Sequence, residues 1–169
     1  MDNRPIGVFD SGLGGLTVVK ALKGLLHNES ILYFGDTARL PYGVKSKDLV
    51  KQYSKQITKF LIKKDAKMII VACNTATAMA LNTLKKDFNN IPIIGVIEPG
   101  SEQAILTTIN NKIGVIGTIA TINSKAYEQS IKEKDIEIDL ISKACPLFVP
   151  FVEEGLIDGE AINEVAQHY

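Results

Sequence analysis

The chain has 169 residues, 46% hydrophobic and 22% charged, so it can bury the core of one domain or of two small ones. Its 19 basic and 19 acidic residues cancel without forming a block of one sign, which argues against nucleic acid or an anionic membrane as a partner. No apolar stretch is close to the length of about eighteen residues that a membrane-spanning helix needs. The start shows no signal-peptide pattern, and two cysteines with unlike surroundings make no disulfide framework, so we expect a cytoplasmic protein.

Strand-like apolar runs alternate with helical stretches along the whole chain. The clearest helix is 46–64, where apolar residues recur at spacings of three and four and Ser46 is a candidate N-cap. Strands and helices in series form βαβ units, so the predicted class is α/β with parallel sheets flanked by helices. A breaker pair after the fourth strand, Pro99-Gly100, predicts a boundary between domains 1–98 and 99–169. The predicted strands are 6–9, 31–34, 68–72, 91–97, 112–116 and 136–141.

Polar or ionisable side chains follow nearly every predicted strand. Each alone is typical of a turn or a helix cap. Because the carboxyl ends of parallel strands share one edge of a sheet, five such sets together predict a ligand crevice there. The sets are Asp10-Ser11-Gly12, Gly35-Asp36-Thr37, Cys73-Asn74-Thr75, Glu98 and Gly117-Thr118.

Cys73 is the most informative of these residues. It ends an apolar run and precedes Asn74, Thr75 and small residues that begin a helix. A lone cysteine in this place is more often buried filler, but its neighbours at the sheet edge favour a reactive thiol. A helix N-terminus raises the thiolate fraction of such a thiol. Asp10 nearby would oppose that by like-charge repulsion, so we expect Asp10 to orient the thiol or hold a proton.

The glycine-rich segment 10–17 resembles a nucleotide-binding loop but does not match its motifs. Thr17 stands where the third glycine of G-x-G-x-x-G belongs, and the Gly-Lys-Ser/Thr ending of a Walker A loop is missing. Glycines before a helix leave backbone N–H groups that suit a carboxylate as well as a phosphate. The segment therefore predicts an anion site rather than a nucleotide site.

Six ordered segments resemble the motifs of the glutamate racemase family, and the similarity covers essentially the whole chain. Glu153-Glu154-Gly155 follows the last of them and also matches. The segments are GVFDSGLGGL at 7–16, YFGDTARLPYG at 33–43, VACNTA at 71–76, GVIEP at 95–99, GVIGT at 114–118 and ACPLFVP at 144–150.

The resemblance implies racemisation of L-glutamate to D-glutamate for peptidoglycan, with glutamate as the small-molecule partner and no pyridoxal phosphate, other cofactor or metal. Two cysteines would move the α-proton on opposite faces of the substrate, in a fold of two similar α/β domains. Cys73 matches the first cysteine, Asp10 a residue assisting it, and Glu153 a residue assisting the second. A homodimer is also implied. The implied substrate-binding residues are Asp10, Ser11, Pro41, Tyr42, Gly43, Asn74, Thr75 and Thr118.

One departure from the family is large. Its second cysteine lies in a Cys-Thr-His-Tyr motif that the sequence does not reach before Tyr169, and Cys145 falls in a different segment, where a structural role is expected. An apolar stripe also runs into the terminus, so the second domain is expected to be incomplete. The alternatives are a catalytically incomplete fragment that binds glutamate, and a related aspartate or hydantoin racemase. The segments 10–12 and 41–43 favour glutamate.

Overall fold

The computed structural model of the chain describes residues 2–169 and divides into two compact units, Met1–Val96 and Ile97–Tyr169. The first unit contains four strands, β1 to β4, three α-helices, α1 to α3, and one short 3-10 helix. In chain order these are β1 (Ile6–Asp10), α1 (Leu16–Leu25), β2 (Ile31–Gly35), the 3-10 helix (Tyr42–Val44), α2 (Lys47–Lys63), β3 (Met68–Val71), α3 (Asn74–Asp87) and β4 (Ile93–Gly95).

The four strands of the first unit form one parallel sheet in the order β2-β1-β3-β4. Phe9 of β1 is in register with Phe34 of β2 on one side and with Val71 of β3 on the other. The chain therefore moves outward from β1 to β2 and then crosses to the opposite side of β1 with β3. In open α/β sheets this reversal of strand order marks the crevice where ligands bind.

Helices cover both faces of this sheet because its central strands are apolar on both sides. Val8 of β1 is fully buried and belongs to a cluster that Val18 and Leu22 of α1 complete on one face. Phe9 points to the other face, into a cluster with Leu61 of α2 and with α3. Full burial of a side chain of this size contributes roughly 1.5–3 kcal/mol, so these two clusters hold the sheet between its helices.

The predicted helix 46–64 is confirmed almost to the residue. Ser46 is the N-cap of α2, and its side chain accepts a hydrogen bond from the Leu49 N–H at 3.3 Å. The apolar stripe places Val50, Ile57 and Leu61 in the core.

The second unit, Ile97–Tyr169, is built on a two-stranded parallel sheet. Its elements are α4 (Ile97–Thr107), β5 (Lys112–Gly117), α5 (Ile119–Asn123), α6 (Ala126–Lys132), β6 (Asp139–Ala144), α7 (Phe148–Glu153) and α8 (Glu160–His168). Helix α4 packs against α6, and α5 packs against both strands. With parallel strands and flanking helices in both units, the predicted α/β class is confirmed. The assignment of 1–98 and 99–169 to two domains stays a prediction.

Two predicted strands have the wrong bounds. The fourth was expected over 91–97, but β4 ends at Gly95 and α4 begins at Ile97. Pro99 lies in the first helical turn, where the missing N–H has no intrahelical acceptor, so the predicted breaker begins a helix. Glu98 is in that turn as well, with its carboxylate 3.8 Å from Lys134 Nζ, and does not follow a strand directly.

The sixth strand was expected over 136–141 and is Asp139–Ala144. The Asp135 carboxylate accepts the Glu137 N–H at 3.0 Å, which holds the preceding residues in a turn. Alternation of isoleucines continues through that turn, so hydrophobic periodicity alone placed the strand too early. Within residues 2–169, no helix combines the length and apolar character needed to cross a bilayer.

Candidate active site

The candidate site of the first unit lies at the carboxyl ends of β1, β2 and β3. The Ala72 N–H donates to the Phe9 carbonyl at 2.8 Å, and the Asp36 N–H donates to the Asp10 carbonyl at 3.0 Å. These bonds extend the strand pairing to the last residues of each strand. They bring Asp10 and Cys73 to the point where the strand order reverses, which is the predicted position of a crevice.

Cys73 joins β3 to α3 and is nearly buried, with 6% of its surface exposed. It is the N-cap of α3, and its Sγ accepts the Ala76 N–H at 3.4 Å. Its thiol donates to the Ser11 Oγ at 3.4 Å. The thiol is thus oriented by one helix terminus and by the loop after β1.

The pKa of the Cys73 thiol is raised to about 11, first by burial and second by the negative charge of Asp10. The hydrogen bonds of Cys73 with Ser11 and Ala76 lower the pKa, but their effect is outweighed. The N-terminus of α3 thus favours the thiolate, as the sequence predicts, but burial and Asp10 have the larger effect on the pKa. At neutral pH the side chain carries its proton.

The glycine-rich loop after β1 holds a carboxylate from the protein itself. Asp10 Oδ2 accepts the Gly15 N–H at 2.9 Å and the Gly12 N–H at 3.3 Å, and the residue is only 7% exposed. The anion expected to sit on these N–H groups is thus Asp10. This arrangement fixes the carboxylate beside Cys73 and agrees with the orienting role expected for it.

Gly15 leaves no room for a side chain. A Cβ there would lie 2.6 Å from Asp10 Cβ and 3.1 Å from both Ala72 Cβ and Tyr33 Cε2. We expect Gly15→Ala to lower the free energy of unfolding by about 1–3 kcal/mol, as overpacking does, when measured by urea denaturation. The matched control is Gly24→Ala in α1, where nothing lies within 4 Å of the added Cβ. That substitution should stabilise by about 0.4–1 kcal/mol. Equal stability of the two variants would contradict close packing around Gly15.

The segment 41–43 follows β2 and packs against α3. Tyr42 and Gly43 are buried, and the Tyr42 hydroxyl donates to Asp36 Oδ2 at 2.5 Å. Burial, and then the hydrogen bond to Asp36, hold the pKa of Tyr42 well above its usual value. Tyr42 and Cys73 share one buried cluster, so the structure brings this predicted segment to the part of the unit that carries the thiol.

Asn74 and Thr75 are the first two residues of α3. Asn74 is exposed, whereas Thr75 is buried. The first unit therefore carries seven predicted site residues besides Cys73, all at or after the carboxyl ends of β1, β2 and β3, and these are Asp10, Ser11, Pro41, Tyr42, Gly43, Asn74 and Thr75.

Thr118 and Glu153 belong to the second unit. Thr118 follows β5 and is the N-cap of α5, where its Oγ1 accepts the Thr121 N–H at 3.2 Å. Glu153 is the last residue of α7 and is partly buried. Cys145 is 2% exposed, and its thiol donates to the Lys143 carbonyl at 3.7 Å, which suits the structural role expected for it. The roles predicted for Thr118 and Glu153 stay predictions.

Two residues that the sequence left without a role stand out beside the predicted site. Asp36 was noted as a polar residue after a strand, but nothing indicated that it is 4% exposed and binds Tyr42. Arg39 pairs with Asp36, with 2.8 Å between Arg39 Nε and Asp36 Oδ2. The three-residue spacing of Asp36 and Arg39 is the feature of the sequence that could have predicted this ion pair. Within residues 2–169, no three His, Cys, Asp or Glu side chains gather as metal ligands would.

Comparison with known proteins assigns the family. The sequence model of the Asp/Glu/Hydantoin racemase family matches residues 6–150. The chain belongs to the Asp/Glu/Hydantoin racemase family. Glutamate racemases of Chlorobaculum tepidum and Aquifex pyrophilus are each 52% identical to it, over 99% and 97% of its length.

A crystal structure of glutamate racemase from Francisella tularensis subsp. tularensis SCHU S4 in complex with D-glutamate superimposes with a TM-score of 0.92 and 48% identity, over 100% of this chain. The chain spans 61% of the Chlorobaculum tepidum racemase and 63% of the Francisella protein. The chain is thus similar to members of this racemase family in both sequence and fold.

Proposed function

We propose that the chain is part of a glutamate racemase that interconverts L- and D-glutamate by transfer of the α-proton, without a cofactor, to supply D-glutamate for peptidoglycan. One observation carries this proposal. A buried thiol lies at the switch point of a parallel sheet beside Asp10 and Ser11, in a chain 52% identical to glutamate racemases. The bound D-glutamate of the Francisella structure supports the substrate class.

In the proposed step, Cys73 as a thiolate takes the α-proton of glutamate. The Cα–H bond breaks, an S–H bond forms, and the electron pair left on Cα is delocalised into the α-carboxylate. Hydrogen-bond donors that meet this developing charge lower the barrier. A second acid then returns a proton to the opposite face of Cα, and in our proposal it is a cysteine outside these 169 residues, assisted by Glu153.

The raised pKa of Cys73 suits both directions of this reaction. As a thiol, Cys73 is ready to give its proton to the carbanion. When it acts in the other direction, a high pKa makes the thiolate a stronger base for a weakly acidic C–H. The α-ammonium group of the substrate lowers the pKa of a neighbouring thiol, since opposite charges favour the ionised form. Asp10 holds the thiol and that ammonium group in place.

Glutamate is proposed to bind at the edge of the sheet through groups from both sides of Cys73. Ser11 and Asp10 lie on the β1 side, and the start of α3 lies on the other. We assign its carboxylate and ammonium groups to Asp10, Ser11, Pro41, Tyr42, Gly43, Asn74, Thr75 and Thr118. A homodimer in the cytoplasm is the expected form of the protein.

Alkylation of Cys73 by iodoacetamide tests the substrate class. We expect L- or D-glutamate to slow it at least tenfold at saturation, because a ligand at the sheet edge covers the thiol. The measurement is the mass of the Cys73 peptide against time, in a Cys145→Ser background. Aspartate at the same concentration is the control.

Each outcome of that experiment has a meaning. Protection by aspartate and not by glutamate would assign the chain to the sibling racemases. No protection by either amino acid would contradict the proposed substrate. Protection by glutamate without α-proton exchange in D2O would favour the second candidate, a binding module that lacks the partner acid.

A further inference from the structure

A chain of buried contacts links the end of β2 to α2 and passes through Tyr42. Asp36 uses both carboxylate oxygens, since Oδ2 accepts the Tyr42 hydroxyl at 2.5 Å and Oδ1 accepts the Arg39 Nε–H at 2.9 Å. The carboxylate is 4% exposed, so its charge needs these partners. An amide in its place would carry no charge to pair with Arg39, whose Nε also lies 2.8 Å from Oδ2, and would present an NH2 group where the carboxylate presents an acceptor.

Arg39 is itself held by α2. Its Nη1 donates to the Gln56 Oε1 at 2.6 Å, and its Cζ lies 4.3 Å from the centroid of the Tyr53 ring. The guanidinium is thus fixed in one orientation by a hydrogen bond and a cation–π contact. A fixed guanidinium fixes the carboxylate of Asp36, which in turn fixes the Tyr42 hydroxyl.

The Tyr42 hydroxyl is therefore an anchor and not a ligand group. It points to Asp36, while the ring packs in the same buried cluster as Cys73 and tilts against Tyr53 with 5.8 Å between ring centroids. What the segment 41–43 offers a ligand then comes from its backbone. Backbone groups recognise a ligand only where the chain is held in place, because small misplacements are costly in binding sites.

We propose that Asp36 and Arg39 are positioning residues that anchor Tyr42 and thereby hold the segment 41–43 in the geometry that binds the substrate. This inference rests on the proposed function and names residues that act on the site through Tyr42 without touching the substrate.

The first test measures the glutamate concentration that gives half-maximal protection of Cys73 from alkylation. We expect Tyr42→Phe and Asp36→Asn each to raise it roughly tenfold, since the first removes the hydrogen bond to the Asp36 carboxylate and the second removes the charge of that carboxylate. The double variant should resemble the single variants, because residues acting through one bond are not additive. The control is Tyr169→Phe, which removes a hydroxyl that accepts the Leu147 N–H at 3.1 Å in the second unit.

The second test needs no ligand. Amide hydrogen exchange, followed by NMR, should be about tenfold faster at Gly43 in Tyr42→Phe and unchanged at Val8, which is fully buried in β1. The inference would be overturned if the variants melted at lower temperature while the glutamate concentration for half-maximal protection and the exchange rate at Gly43 stayed unchanged. Asp36 and Tyr42 would then contribute to stability alone. If glutamate does not protect even the wild-type chain, the proposed function fails. Gly43 exchange, measured in both Tyr42→Phe and Asp36→Asn, then still decides whether the Asp36–Tyr42 hydrogen bond anchors the segment.

Discussion

Replacing Cys73 with serine is expected to abolish α-proton exchange while leaving the first unit folded. A serine hydroxyl has a pKa far above that of a thiol and cannot serve as the base, so the exchange rate should fall by about 10⁴-fold or more. The measurement is deuterium uptake from D2O at Cα of L- and D-glutamate, offered separately and followed by NMR. With the wild-type chain we expect uptake into one enantiomer only, because in the proposed mechanism Cys73 exchanges the α-proton on one face of the substrate.

Serine is a better replacement than alanine for a structural reason. Cys73 caps α3 by accepting the Ala76 N–H, and a serine hydroxyl keeps that bond, whereas alanine loses a cap worth about 1 kcal/mol. Cys145→Ser is the matched control, since that thiol belongs to the second unit and donates to the Lys143 carbonyl of the preceding strand β6. Exchange that survives in Cys73→Ser, or disappears in Cys145→Ser, would remove Cys73 from the role of base. An unfolded Cys73→Ser would mean that the thiol is a core residue.

The location of this site could be read from the sequence because strand ends in a parallel sheet are set by short-range signals. Apolar runs bounded by polar residues put Asp10 and Cys73 at strand ends, and the structure places both at one sheet edge. The failures are local. Pro99 predicts a break after β4 but instead lies in the first turn of α4, because proline suits the first turn of a helix as well as a loop.

The electrostatics of the site could not be read in the same way. The sequence places a helix N-terminus beside Cys73, but the depth of burial depends on how β1, β3 and α3 pack, and burial is the largest cause of the raised pKa. The loop 10–15 likewise offers N–H groups, yet only the fold shows that Asp10 turns back to accept them. The Asp36–Tyr42 bond is hidden for the same reason, since a side-chain contact between a strand end and a buried turn leaves no periodic signal.

Alkylation of Cys73 should rise with pH far beyond the range of an ordinary cysteine. With a pKa of about 11, the thiolate fraction increases tenfold per pH unit below that value, so the rate should grow about 100-fold between pH 8 and pH 10. A free cysteine with a pKa near 8.5 levels off within the same range. The measurement is the rate of modification by iodoacetamide in the Cys145→Ser background, with circular dichroism at each pH to show that the fold persists.

Asp10→Asn should shift the pH profile of Cys73 alkylation to lower pH. Removing the negative charge lowers the pKa of Cys73, because like-charge repulsion from Asp10 is one cause of its elevation. At pH 8 a lower pKa means more thiolate, so alkylation of Cys73 should become severalfold faster. The amide oxygen of asparagine can still accept the Gly15 N–H, which keeps the loop in place.

A small amount of urea is the control, since modification through unfolding accelerates with denaturant and modification of the folded thiol does not. A wild-type profile that levels off near pH 8.5, or an Asp10→Asn profile shifted to higher pH, would show that burial and Asp10 do not set the proton affinity of this thiol.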